Sequence, residues 1–150
     1  MTEINRSALL PYPADQIYRL INDIEAYPEY MDECVNAEIY VTGQDEQGFD
    51  FMEARLDLSK AGFQHSLTTR NRLVPPGRVE MSLVDGPVER FSGLWVVQPL
   101  SDAACKVSLA LSFSVSSLML NVAVKVLFDP LADDLVNSLV KRAHHLYQQR

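Results

Sequence analysis

Residues Met81 to Val115, MSLVDGPVERFSGLWVVQPLSDAACKVSLALSFSV, constrain the fold of this chain more than any other stretch. Three runs there alternate apolar and polar residues, and two turn-like breaks separate them. Val79, Met81 and Leu83 share one face of the first run. Phe91, Gly93, Trp95 and Val97 share one face of the second, and Val107, Leu109, Leu111, Phe113 and Val115 share one face of the third. A period of two means strands, each with one face turned to an apolar interior. A meander of such strands needs another layer over that face. The following segment, Ser116 to Arg150, is the only long helical candidate in the chain. The expectation is a bent sheet closed by a C-terminal helix, with a cavity between the two.

The remaining sequence supplies the other elements. Glu3 to Leu10 reads as a first strand, and Tyr12-Pro13-Ala14-Asp15 opens a helix, since proline suits a first turn. Ile17, Leu20, Ile21 and Ile24 give that helix an apolar stripe. Pro28 interrupts it, and a further short helical turn is expected over Glu29 to Asp32. Alternating Val35, Ala37, Ile39 and Val41 predict a strand over Cys34 to Thr42. Gly43 to Gly48 reads as a loop, and Phe49 to Leu58 and Phe63 to Leu73 as a hairpin closed by Ser59-Lys60-Ala61-Gly62. In the last segment Leu120, Val124, Leu127, Leu131, Leu135, Leu139 and Leu146 keep helical spacing. Pro130 removes a backbone donor there, so a kinked or broken helix is expected. The order is strand, helices, six strands, long helix: one α+β domain of the helix-grip type over residues 1–150.

Composition excludes several functions. With 13 Lys and Arg against 20 Asp and Glu, the net charge is −7. That argues against nonspecific binding to DNA, which needs a cationic footprint, and against attraction to anionic lipid. The N-terminus lacks the pattern of a secretory signal, and the longest apolar stretch, Leu118 to Phe128, is too short to span a bilayer. Any membrane contact is expected to be transient. Cys34 and Cys105 form no CxxC pair and are read as buried and reduced in a cytoplasmic protein; one disulfide between them stays open.

Several blocks carry a resemblance. These are Asp23-Ile24-Glu25-Ala26-Tyr27-Pro28-Glu29-Tyr30 with Cys34 after it, Ser59-Lys60-Ala61-Gly62, Thr69-Arg70-Asn71, Ser82-Leu83-Val84-Asp85-Gly86-Pro87, Gly93, Trp95 and Pro99-Leu100. In order and spacing they resemble the RatA family of START-like proteins, within the polyketide cyclase superfamily. The chain departs from the family's usual pattern at Asp32, where proline is typical, and at Pro130. The resemblance implies two functions. Bacterial members are named ribosome association toxins, of toxin–antitoxin type, for binding the large ribosomal subunit and blocking subunit joining. Mitochondrial relatives are implied to bind ubiquinone and support respiration.

The residue reading favours a cavity for an apolar ligand, ubiquinone or a similar lipid. Met81, Leu83, Phe91, Gly93, Trp95, Val97, Leu111 and Phe113 share the inward strand faces, and Val124, Leu127 and Phe128 would form the opposite wall. Taken singly, each of these residues is more often plain core. An inward glycine such as Gly93 lets a helix or ligand approach closely. Arg70, Arg72 and Arg78 form the densest basic group, a candidate contact for ribosomal RNA or a ligand headgroup; solvated surface explains them as well. Lys141, Arg142, His144 and His145 are read as partners of the final helix dipole. No metal motif, nucleophile elbow or phosphate loop is present, so the expectation is a non-enzymatic protein that requires no cofactor.

Overall fold

The computed structural model describes residues 2–60, 62–115 and 118–147, with the backbone alone for residue 63 and residues 118–129. Among the described residues there are seven strands: β1 (Thr2–Leu10), β2 (Cys34–Gln44), β3 (Asp50–Lys60), β4 (Phe63–Val74), β5 (Arg78–Asp85), β6 (Arg90–Ser101) and β7 (Ala104–Ser114). They form one antiparallel sheet in the order β1-β7-β6-β5-β4-β3-β2. Helix α1 (Ala14–Asn22) and a 3₁₀ turn (Ile24–Glu29) lie between β1 and β2, and helix α2 (Leu118–Tyr147) follows β7. This is the expected helix-grip α+β architecture.

The period-two pattern does set the sheet's inner face. Val107, Leu109, Leu111 and Phe113 of β7 are buried, as are Phe91, Gly93, Trp95 and Val97 of β6. α2 packs across this face from β1 and β7 at one side to β3 and β4 at the other, and α1 packs on β6, β7 and α2. The α1 stripe is buried as its spacing requires, through Ile17, Leu20 and Ile21.

Two local expectations are corrected. The short helical turn lies at Ile24–Glu29 with Pro28 inside it, not over Glu29 to Asp32. Pro28 has no N–H to extend it, and the amides of Tyr30 and Met31 both close back on the Tyr27 carbonyl. In β2 the alternating residues do not share a buried face: Ala37 and Ile39 pack against the core, whereas Val35 and Val41 are exposed. The pairing with β3 slips between Cys34 and Asn36 and again between Ile39 and Val41. An irregularity of this kind shifts which residues point inward. α2 runs as one helix with Pro130 in its interior, so the sequence does not divide into two helices there.

Candidate functional site

A cavity of about 50 Å³ lies between the sheet's inner face and the helical layer. A water needs about 10–15 Å³ of such space and occupies about 30 Å³ in the liquid, so the cavity holds roughly four waters, ~120 Å³ of matter. That is the bulk of one aromatic ring. α1 and the 3₁₀ turn contribute Ile21, Asn22, Ile24 and Tyr27 to its lining, and α2 contributes Leu131 and Leu135. β3 and β4 add Ala54, Leu56, Leu67, Thr69 and Asn71, and β5 to β7 add Val79, Met81, Phe91, Trp95 and Leu111.

Four residues singled out from the sequence, Met81, Phe91, Trp95 and Leu111, therefore come together on one wall. Val97 and Phe113 share the same inner face but are packed in the core away from the cavity lining, and Leu83 packs half-buried against that core. Gly93 also lies off the lining. A Cβ there would meet Met81 Cε at 2.4 Å and Leu111 Cδ2 at 3.2 Å, so the close approach it permits is that of neighbouring side chains. Val124, Leu127 and Phe128 lie in the first half of α2, and their side chains are outside the described residues.

The lining includes three amide or hydroxyl side chains besides Tyr27. Thr69 and Asn71 sit at inward positions of β4, at 8% and 4% exposure, and the Thr69 hydroxyl donates to Asn71 Oδ1 at 2.7 Å. Asn22 donates from Nδ2 to the Tyr18 carbonyl at 3.1 Å. Its Oδ1 is buried with no hydrogen-bond partner among the described residues. Tyr27 donates its hydroxyl to the Ile21 carbonyl, and burial pushes its phenol well above the ordinary range, so it stays protonated at neutral pH. The strand periodicity contained a signal for two of these groups. Leu67, Thr69 and Asn71 alternate on one face of β4, and polar side chains on an apolar face mark a site.

Charged groups clasp the margin of the helical layer. Lys60, at the end of β3, lies 2.9 Å from Glu33 Oε1 and 3.8 Å from Asp134 Oδ2 on α2. Burial, then the hydrogen bond and charge of neighbouring Glu33, push the Asp134 carboxyl up to about 6. Burial opposes ionisation of Glu33 too, but hydrogen bonds from Asp134 and Lys60 prevail and hold it below the usual carboxylate range. Farther along α2, Arg142 approaches Glu29 at 3.5 Å and lies 5.1 Å over the Tyr30 ring. Tyr12 hydroxyl and His144 Nδ1 are 2.5 Å apart. Arg142 and His144 thus hold tertiary partners beyond the helix dipole.

Arg70 and Arg72 alternate with Thr69 and Asn71 on β4 and so project from the opposite, outer face of the sheet. Arg70 lies 4.4 Å over the Phe51 ring and donates from Nε to Glu53 at 2.8 Å. Arg72 lies 4.2 Å over Phe49 and pairs with Asp45 at 2.8 Å and Glu80 at 3.3 Å. Arg78 approaches Glu80 at 3.5 Å. Arg72 and Arg78 share Glu80, Arg70 pairs separately with Glu53, and all three lie apart from the cavity lining. Cys34 and Cys105 are free and buried, and burial pushes the Cys34 thiol up to about 11. Among the described residues no group of three His, Cys, Asp or Glu could hold a metal, and no helix is long and apolar enough to cross a membrane.

Residues 10–140 match the family described as polyketide cyclase / dehydrase and lipid transport. The ribosome association toxin RatA of Vibrio cholerae serotype O1 is 40% identical over 147 residues, 98% of this chain and 99% of that protein. The persistence and stress-resistance toxin PasT of Escherichia coli O6:H1 is 36% identical over 150 residues, 100% of this chain and 92% of that protein. Among solved structures, the Zhui aromatase/cyclase of Streptomyces sp. R1128 superposes with a TM-score of 0.84 at 16% identity, covering 99% of this chain and 98% of the other. That likeness carries the fold alone. The chain belongs to the polyketide cyclase / dehydrase and lipid transport family and, within it, to the RatA family of START-like proteins.

Proposed function

We propose that this protein binds, without transforming it, an apolar ring-bearing molecule, ubiquinone or a similar lipid, in the cavity between sheet and helices. The observation that carries the reading is the lining itself: aliphatic side chains and Phe91 and Trp95, with a few amide and hydroxyl groups among them. Such a wall desolvates a ring and leaves a few polar atoms to orient it. The same residues support binding without chemistry. Asn22, Thr69 and Asn71 do not titrate, and Tyr27 is held protonated, so none serves as a general base near neutral pH. The cavity offers the bulk of one aromatic ring, so a tail of any length has to leave it. The test is mass spectrometry of organic extracts of protein purified from its host without detergent, beside a folded Trp95→Arg variant. A stoichiometric quinone or lipid in the wild type and none in the variant is expected. An empty, stably folded wild type would sink the proposal.

A second reading rests on the relatives, whose names state ribosome association. On this reading the protein binds the large ribosomal subunit and blocks subunit joining. Contacts to ribosomal RNA would have to exchange with the acidic partners of Arg70 and Arg72, and the affinity would fall with salt. Cosedimentation with large subunits across a salt series tests it, and cosedimentation unchanged in an Arg70→Glu, Arg72→Glu variant would count against this arginine patch as the contact.

A further inference from the structure

We propose that the cavity selects a ring that donates a hydrogen bond, a phenol or hydroquinone, over the same ring in an oxidised, acceptor-only form. This rests on the ligand-binding reading above and concerns the polar groups in the lining of the same cavity.

Asn22 is the last residue of α1. A side-chain amide has two distinct ends, and its orientation follows from the partners. Here the partner at 3.1 Å is the Tyr18 carbonyl, a pure acceptor, so the NH₂ must face it. The amide oxygen is thereby left on the other side, buried and without a partner among the described residues, in a side chain that lines the cavity. Leaving a buried acceptor unpaired is unfavourable, and only a donor repairs it. A quinone carbonyl cannot, because it brings a second acceptor. A phenolic O–H can.

The other cavity amide does not discriminate in this way. Thr69 engages Asn71 through Oδ1, leaving the Asn71 NH₂ able to donate. Both redox forms of a quinone ring carry oxygen that accepts from it. Asn71 therefore adds affinity for either form, and Asn22 adds affinity for the reduced form alone. Ile21, Ile24 and Leu135 carry no side-chain donor, and neither the Trp95 indole N–H nor the Asn71 NH₂ is bonded to Asn22 Oδ1, which has no partner among the described residues. Tyr27 does not supply one, because its hydroxyl is committed to the Ile21 carbonyl.

The experiment is anaerobic equilibrium dialysis of the full chain against duroquinone and durohydroquinone, a pair of nearly equal shape. Trp95, the only tryptophan, lines the cavity, and its emission reports occupancy independently. The expected result is about tenfold or greater preference for the reduced form, the worth of one hydrogen bond to a buried unpaired acceptor. Asn22→Leu should erase the preference by weakening durohydroquinone more than duroquinone, so that the ratio of the two affinities falls to about one. Equal or tighter binding of duroquinone to the wild type would overturn the inference while leaving the ligand-binding reading intact. Binding of neither form would overturn both. The wild-type comparison decides the matter without the variant, so a misfolded Asn22→Leu cannot obscure it.

Discussion

At the scale of single residues, two buried glycines carry different constraints. A Cβ on Gly77 would stand 2.2 Å from the Val97 carbonyl oxygen, and the Val97 amide donates to the Gly77 carbonyl at 2.7 Å. Backbone meets backbone there, and neither can yield without breaking the pairing. Gly77→Ala should cost about 2 kcal/mol, the scale of overpacking a tight site, seen as a melting temperature lower by about 4–8 °C. Gly93→Ala should cost under about 1 kcal/mol, because its clash is with the end of the flexible Met81 side chain. Thermal melts of the two variants in parallel would show whether that ordering holds. Asp134 offers a residue-scale prediction of a different kind. Its folded value of about 6 stands above the unfolded value of about 3.9. The folded state thus retains a proton the unfolded state releases. The resulting stability is present below about pH 4 and lost as pH rises through about 6. Glu33 runs the other way, its contribution present above the unfolded value and lost on acidification. Asp134→Asn fixes the neutral form. It should therefore raise the melting temperature at pH 7.5 and lose that advantage by pH 4.5. An equal difference at both pH values would mean that Asp134 does not titrate in this window.

At the scale of elements, what was legible in the sequence divides by how local its cause is. The faces of β6 and β7 follow from period two alone, because both strands lie well inside the sheet and are covered. The face of β2 does not, because β2 is an edge strand whose register with β3 slips twice, and a slip comes from pairing with another strand. The 3₁₀ turn was displaced for a related reason. Tyr27 buries its ring and gives its hydroxyl to the Ile21 carbonyl, and this anchoring holds the chain helical through Pro28. Pro130 posed a choice between one helix and two, and the apolar positions after it, Leu131, Leu135 and Leu139, are buried in one uninterrupted helix. A proline inside such a helix removes a backbone hydrogen bond and crowds the preceding turn. Pro130→Ala should accordingly stabilise the protein by about 1 kcal/mol or more, read as a higher urea midpoint with an unchanged slope. A lower midpoint would mean instead that the sheet requires the geometry proline imposes on α2.

At the scale of the whole molecule, the candidate site was legible as a wall and not as an enclosure. Trp95 and Phe91 could be placed on an inward face from their own strand's alternation. That Ile21, Tyr27 and Asn71 meet them across a cavity depends on how α1, the 3₁₀ turn and β4 are brought together, and no short-range pattern states it. The same enclosure separates the two functions the family suggests. The cavity lies on the inner face of the sheet, while Arg70 and Arg72 lie on the outer face, tied to Glu53, Asp45 and Glu80. Part-exposed ion pairs of this kind contribute roughly 0–1 kcal/mol each, so an Arg70→Glu, Arg72→Glu variant should stay folded with a melting temperature lowered by the repulsion it sets up with Glu53, Asp45 and Glu80. Its ring-ligand affinity by equilibrium dialysis should remain within about twofold of wild type, because charges on the far side of the sheet are screened over about 8–10 Å. The converse holds for Trp95→Arg, which should lose the ligand while leaving the outer face unchanged. Measured together, the two variants ask whether ligand and ribosome use one surface or two. If Trp95→Arg lost large-subunit cosedimentation while remaining folded, occupancy of the cavity would be coupled to the surface, and the two functions would be one. Independent losses would make them separate properties of a single fold, which is the outcome the opposed faces lead us to expect.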